Sequence, residues 1–184
     1  MSMRGKLLIA HPNVPSESPW HKTVIFLYDD NPKGHLGVVL NVRSKYTIKD
    51  LCNQKGILYD NGLRPIYTGG PVSQESIVML HTNEWQSTNT MNVGAQLRLS
   101  SDELMFQKIA YGDVPAYYRV FGGISAWTAG QLDMELQGRF PYTASNSWLI
   151  ADANDELVFE YSDEEQWTQA LEAATNQAVA GMLV

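Results

Sequence analysis

The sequence predicts an α+β fold with a largely antiparallel sheet, carried by one domain, and three observations lead there. Short segments rich in Val, Ile, Leu, Phe and Tyr recur along the 184 residues. Several of the gaps between them are too short for a crossover helix, so the neighbouring strands must run antiparallel. Interspersed with them, four Ser/Thr-x-x-Asp/Glu/Gln signatures mark helix starts. A chain of this length buries roughly 70% of its unfolded surface, so residues 1–184 are read as a single self-sufficient domain.

In chain order the expected strands are Lys6 to Ala10, Thr23 to Asp29, Gly37 to Val42, Ile66 to Thr68, Ser76 to Thr82, Met91 to Leu99, Tyr117 to Phe121, Ser147 to Asp152 and Leu157 to Tyr161. Turn chemistry bounds them at Asn31-Pro32-Lys33-Gly34, Asp60-Asn61-Gly62, Gly69-Gly70-Pro71 and Asn154-Asp155, the last read as a hairpin turn. Helices are expected to begin at Thr47, Ser100, Thr128 and Ser162, whose hydroxyls can accept from the amides of Asp50, Glu103, Gln131 and Glu165. Apolar staples pair Tyr46 with Leu51, Leu99 with Leu104 and Trp127 with Leu132 across three of these starts. The helices should end near Gly56, Gly112, Gly138 and Gly181. In the third helix Ala129, Leu132 and Leu136 share a face from which Asp133, Glu135 and Gln137 point away, so Gly122 to Leu132 is read mainly as a turn into a helix. The last helix, Asp163 to about Ala180, presents Trp167, Leu171, Ala174 and Ala178 to the sheet.

Composition excludes several classes of function. An apolar fraction of 44% with 18% charged residues is that of a globular protein, and no apolar run approaches the roughly 18 residues of a membrane span. The run Leu7 to Ala10 is too short for a signal peptide. Cys52 is the single cysteine, which rules out an intramolecular disulfide and agrees with a cytoplasmic setting. The net charge is −7, and residues 65–184 carry four basic against fifteen acidic side chains. Specific DNA binding draws on phosphate neutralisation. The one local basic stretch, Arg43 to Lys55, reads as a solvated helix face, so direct DNA binding is not expected.

No catalytic or metal constellation assembles along the chain. Gly123-Ile124-Ser125-Ala126-Trp127 misses the final glycine of a nucleophile elbow. Nothing in the sequence brings a base to Cys52. The four histidines, His11, His21, His35 and His81, share no ligand spacing. Asp29 to Gly34 resembles half of a calcium loop, but Lys33 takes a ligand position and Leu40 stands where the bidentate glutamate belongs. In Thr68-Gly69-Gly70-Pro71-Val72 the proline removes an amide that an anion would use. No cofactor is implied.

Several motifs carry a resemblance. They are Gly5-Lys6-Leu7-Leu8-Ile9-Ala10 with Pro12, Thr23-Val24-Ile25 with Gly34, Gly37-Val38-Val39-Leu40-Asn41, Tyr67-Thr68-Gly69-Gly70-Pro71-Val72 with Leu80-His81, and Gly130-Gln131-Leu132 with Glu135, followed by Trp148-Leu149. Collinear over nearly the whole chain, they resemble the YqgE/AlgH family of bacterial proteins. Where that family usually shows Gly-Tyr-Ala-Gly-Trp this chain has Gly123-Ile124-Ser125-Ala126-Trp127, and Tyr28-Asp29-Asp30 replaces its frequent Cys-Glu-His. Roles resting on that tyrosine, cysteine or histidine do not transfer. The resemblance implies a strongly bent, barrel-like, mostly antiparallel sheet flanked by several helices. The family is largely uncharacterised, and the name of one branch attaches it to transcriptional control.

These readings converge on a cytoplasmic, non-enzymatic binding or regulatory protein with a protein or small-molecule partner. Its expected binding face is formed by Asn41, Gly69, Gly70, Pro71, His81, Trp127 and Gln131, because motif-bearing turns present polar groups from a rigid sheet. An enzyme whose site assembles only in three dimensions, joining His35 or His81 to Asp29 or Asp30, is the first alternative. A direct DNA-binding regulator is the second.

Overall fold

Residues 2–139 and 147–183 are described by a computed structural model of the chain. The strands are β1 (Lys6–Ala10), β2 (Val24–Asn31), β3 (Gly34–Val39), β4 (Arg43–Thr47), β5 (Pro65–Thr68), β6 (Val72–Thr82), β7 (Met91–Gly94), β8 (Leu97–Ser100), β9 (Tyr118–Thr128) and β10 (Trp148–Asp152). The helices are α1 (Ile48–Gln54), α2 (Glu103–Ala110), α3 (Gln131–Leu136) and α4 (Asp163–Met182), with a π-helical turn at Glu156–Glu160. The strands form one sheet in the order β10-β1-β2-β3-β9-β6-β8-β7, with β5 also beside β9 and β4 beyond it. Among the described residues only β5 and β9 pair in parallel, so the expected mostly antiparallel sheet is observed, curled into a half-barrel.

The curl originates in β9. Its first half lies between β5 and β6, whereas Ser125 to Thr128 pair with β3. The segment read as a turn, Gly122 to Thr128, is therefore strand. Gly123 makes this possible: its φ is +80°, and a Cβ there would lie 2.5 Å from the carbonyl oxygen of Gly70. The extended chain bends without ending because the backbones of Gly123 and Gly70 pass too closely to leave room for a side chain.

Apolar alternation puts Leu7, Ile9, Phe26, Val38, Leu80 and Phe121 in one buried cluster, which Ala170 and Ala174 of α4 join by packing on β1, β2 and β10. Each such large side chain contributes about 1.5–3 kcal/mol on burial. A second cluster packs Ile66, Met79 and Val120 under α1 and α2, and a third cluster gathers Trp127, Leu132 and Trp148 around α3.

Local signals place α1 well. Thr47 accepts from the Asp50 amide, and the Asp50 carboxylate accepts from the Thr47 amide at 2.8 Å. Gly56, Gly112 and Gly138 follow their helices with positive φ, whereas Gly181 lies inside α4. The cap of α2 is Asp102 and not Ser100, because Ser100 is the last residue of β8. Gly130 takes the cap position of α3. The Leu99 and Leu104 staple does not close on a buried pair, since Leu104 is exposed.

Three expected elements differ. Met91 to Leu99 is the hairpin β7–β8, turned at Ala95 and Gln96, whose φ angles of 55° and 59° mimic a type I′ turn without its usual Asn-Gly. Arg43 to Thr47 is strand β4, so the basic stretch is split between β4 and α1. Leu157 to Tyr161 forms no strand, and Asn154-Asp155 no hairpin. The carbonyl oxygens of Leu157 and Val158 accept from the Gln166 side chain, and those of Phe159 and Tyr161 from Arg119, which holds the segment in a π-helical turn. The buried stripe of α4 is rotated to Gln166, Ala170 and Ala174, while Trp167 is half-buried and Ala178 is exposed.

Candidate functional site: an arginine-lined cleft

The residues expected to form a binding face are dispersed, and most are bonded within the fold. Asn41 is buried and joins three segments, accepting from the Val24 amide at 3.0 Å and donating to the carbonyl oxygens of Lys22 and Asp163 at 2.9 and 3.0 Å. Gly69 and Gly70 are packed so closely on β9 that a Cβ on either would meet a β9 carbonyl oxygen at 2.3 or 2.2 Å, while Pro71 beside them is exposed. Trp127 and Gln131 come together through Glu135: one carboxylate oxygen accepts from the Trp127 and Trp148 indoles at 3.0 and 2.8 Å, and the other from the Gln131 amide at 3.0 Å. Glu135, expected to point to solvent, is 2% exposed. Only the pairs Gly69 with Gly70 and Trp127 with Gln131 are brought together.

His81 is fully buried. One ring nitrogen lies 2.8 Å from the Thr82 carbonyl oxygen and the other 2.8 Å from the Ser100 hydroxyl. Burial pushes its pKa down, aided by Arg98 and opposed by the Thr82 carbonyl and Glu84. Its protonation by NMR is therefore expected to show a midpoint below the ordinary value of about 6.5. A folded pKa below the unfolded one means that His81 contributes stability fully above that ordinary value. The contribution is lost as pH falls through it towards the folded value. A midpoint at or above the ordinary value would contradict this placement.

The groups considered for catalysis do not meet a base. Ser125 is 1% exposed and donates to the Gly69 carbonyl oxygen at 3.0 Å. Cys52 is buried, and burial pushes its thiol pKa up against the opposing pull of Lys55. Of the histidine and aspartate combinations considered, His35 and Asp30 do come together, with Nε2 3.2 Å from the carboxylate. Yet His35 is buried, lines neither cleft described below, and its Nδ1 lacks a hydrogen-bond partner. Among the described residues no three His, Cys, Asp or Glu side chains are grouped to hold a metal ion.

A polar cleft of about 260 Å³ opens where β4, β5 and the start of β9 face the π-helical turn. Arg43, Arg64 and Arg119 line it together with Tyr67, Tyr117, Tyr118 and Phe159. Arg119 is 7% exposed, in a strand whose neighbours are apolar. Its guanidinium donates to the carbonyl oxygens of Leu40 at 2.9 Å, Phe159 at 3.4 Å and Tyr161, and to the Gln166 side chain at 2.7 Å. These acceptors are neutral. They take up the Nη donors, and the Tyr67 ring lies 4.8 Å from the guanidinium carbon, but no carboxylate is bonded to it, and burial pushes the guanidinium pKa down. Arg43 and Arg64 push the same way, while Tyr67 and Asp163 oppose.

The other two arginines remain available. Arg64 is exposed, lies 3.8 Å over the Tyr118 ring and makes one hydrogen bond, to the Tyr118 carbonyl oxygen. Arg43 lies over Tyr67 and meets Asp163 at 3.2 Å, with both side chains about half exposed. Tyr117, stacked on Phe159 with ring centroids 6.0 Å apart, forms a flat aromatic edge. Across Tyr67 a second, larger groove of about 760 Å³ is lined by Tyr46, Leu51, Ile66 and Ile77, with Asp50 and Glu75. One sequence signal for the smaller cleft existed: Arg119 is one of four basic residues after position 64 and sits in a strand otherwise apolar around it.

A curled α+β half-barrel bearing an aromatic cleft lined by three arginines and Glu160 defines the class of protein. The chain belongs to the AlgH-like family, whose model matches residues 7–178. It is 31% identical over 172 residues to a UPF0301 protein of Marinomonas sp. (strain MWYL1), covering 92% of this chain and 87% of the relative. A UPF0301 protein of Rickettsia africae (strain ESF-5) is 30% identical over 177 residues at the same coverage. Among solved structures, that of the AlgH protein from Pseudomonas aeruginosa superposes with a TM-score of 0.72 at 27% identity, covering 92% of this chain and 87% of that one. Protein DIP2367 from Corynebacterium diphtheriae shares the fold, with a TM-score of 0.67 at 20% identity and coverage of 91% and 84%. No helix among the described residues is long and apolar enough to cross a membrane.

Proposed function

We propose that this chain is a non-enzymatic, cytoplasmic binding protein whose ligand is a small anion with a flat apolar part, seated in the Arg43–Arg64–Arg119 cleft. The observation that carries this reading is the buried Arg119 guanidinium, whose Nη groups are held by neutral oxygens, a fixed positive charge in an otherwise acidic half of the chain. Arg43 and Arg64 supply donors not already spent on the fold, and their planar forks suit carboxylate or phosphate oxygens. Tyr117 offers a face on which a flat group can stack. Any influence on transcription then runs through this ligand or a protein partner, since three arginines in a cleft do not make the extended basic surface that a duplex needs.

Calorimetric titration with inorganic phosphate and with phenyl phosphate tests the reading. Phenyl phosphate is expected to bind more tightly. Arg64→Ala should weaken both by about tenfold, the loss of one charge-assisted hydrogen bond. No heat from either anion up to millimolar concentrations, or equal binding by wild type and Arg64→Ala, would overturn it.

A further inference from the structure

Asp163 does not line the cleft itself; it follows the lining residue Ser162 and meets the cleft's Arg43, in a position the fold explains poorly. It opens α4 with a φ of +53°, a left-handed backbone that side chains other than Gly, Asn and Asp rarely adopt. Its carbonyl oxygen is clamped by the buried Asn41 amide at 3.0 Å, so its backbone is fixed while its carboxylate projects to Arg43 at 3.2 Å. The first turn of α4 already carries Glu164 and Glu165, so the helix dipole has acidic partners without it. The carboxylate is 59% exposed and the Arg43 side chain 47%, a pair that water screens and that separates at little cost.

We propose that Asp163 is a built-in competitor for the ligand: its carboxylate holds Arg43 and swings into solvent when the ligand anion takes that guanidinium. The inference rests on the anion-binding reading given above. Its physical basis is that the Nε–H given to Asp163 cannot also serve a ligand that takes Arg43 side-on through Nε and Nη, the paired hold that the terminal Nη–H groups would otherwise have to replace. Repulsion between the ligand and the carboxylate beside Arg43 then drives the side chain outward while Asn41 retains the backbone. Affinity is thereby set below what the three arginines would give alone, which keeps the ligand exchangeable.

Asp163→Asn is the informative variant, because asparagine accepts the left-handed conformation as readily as aspartate and removes only the charge. Titrated with inorganic phosphate, it is expected to bind about two- to fivefold more tightly than wild type. Combined with Arg43→Ala, the same substitution should gain little, since the contested guanidinium is gone; a gain of the same size in both backgrounds would mean mere long-range electrostatics and overturn the proposal. Unchanged affinity in Asp163→Asn, with wild type binding phosphate and Arg64→Ala weakened, would sink the competitor role alone. A wild type that binds no phosphate would remove both readings.

Discussion

Arg119→Leu is expected to destabilise the protein by about 2–4 kcal/mol, the largest loss from any single side chain of the cleft. The guanidinium ties β9 to the segment after β3, to the π-helical turn and to α4 through four neutral acceptors. Leucine fills part of the volume and removes a buried charge, which is favourable. It leaves the Leu40 and Tyr161 carbonyl oxygens and the Gln166 amide oxygen short of donors, at a cost of about 1–3 kcal/mol for each group that water does not reach. The second effect prevails because the acceptors stay buried. Against a total stability of about 5–15 kcal/mol for a domain, such a loss is plain in urea unfolding. A midpoint within error of wild type at unchanged slope would show that the acceptors are satisfied otherwise.

Glu135→Ala is expected to cost a similar amount, about 2–4 kcal/mol. The carboxylate accepts from two indoles that belong to different strands, Trp127 of the central β9 and Trp148 of the edge strand β10, and so ties them together over α3. Alanine leaves both indole N–H groups and the Gln131 amide without that acceptor and opens a void beneath them. Glu135→Gln retains one carbonyl oxygen for the indoles and should recover much of the loss. Tryptophan fluorescence during chemical unfolding reads both variants. Equal stability for Glu135→Ala and wild type would refute the structural role given to this carboxylate.

What the sequence revealed follows the range of the interactions involved. The capping box of Thr47 and Asp50 and the contact of Trp127 with Leu132 lie within one turn of chain, and the structure contains both. The bend at Gly123 depends on Gly70, which is adjacent only after β6 has folded back on β9. Leu157 to Tyr161 has the apolar composition of a strand, but Arg119 and Gln166 claim its carbonyl oxygens before a neighbouring strand can. Glu135 looked solvent-facing because the two indoles that bury it come from outside its helix. Such motif residues as Asn41, His81 and Trp127 stood out as polar or aromatic groups near turns, and their hydrogen bonds turn inward. The arginines of the cleft carry no common spacing, so only the topology that sets β4, β5 and β9 side by side could assemble them.

The central claim is that the anion site is the cleft between β5 and the π-helical turn. The most direct measurement is an amide NMR titration of the full chain with inorganic phosphate. Saturable shifts are expected to concentrate at Arg43, Arg64, Tyr67, Arg119 and Ser162 and to be absent in the Arg43→Ala, Arg64→Ala double variant. Saturable shifts centred instead on Gly69 to Pro71 or around Gln131, with the cleft residues unmoved, would contradict it.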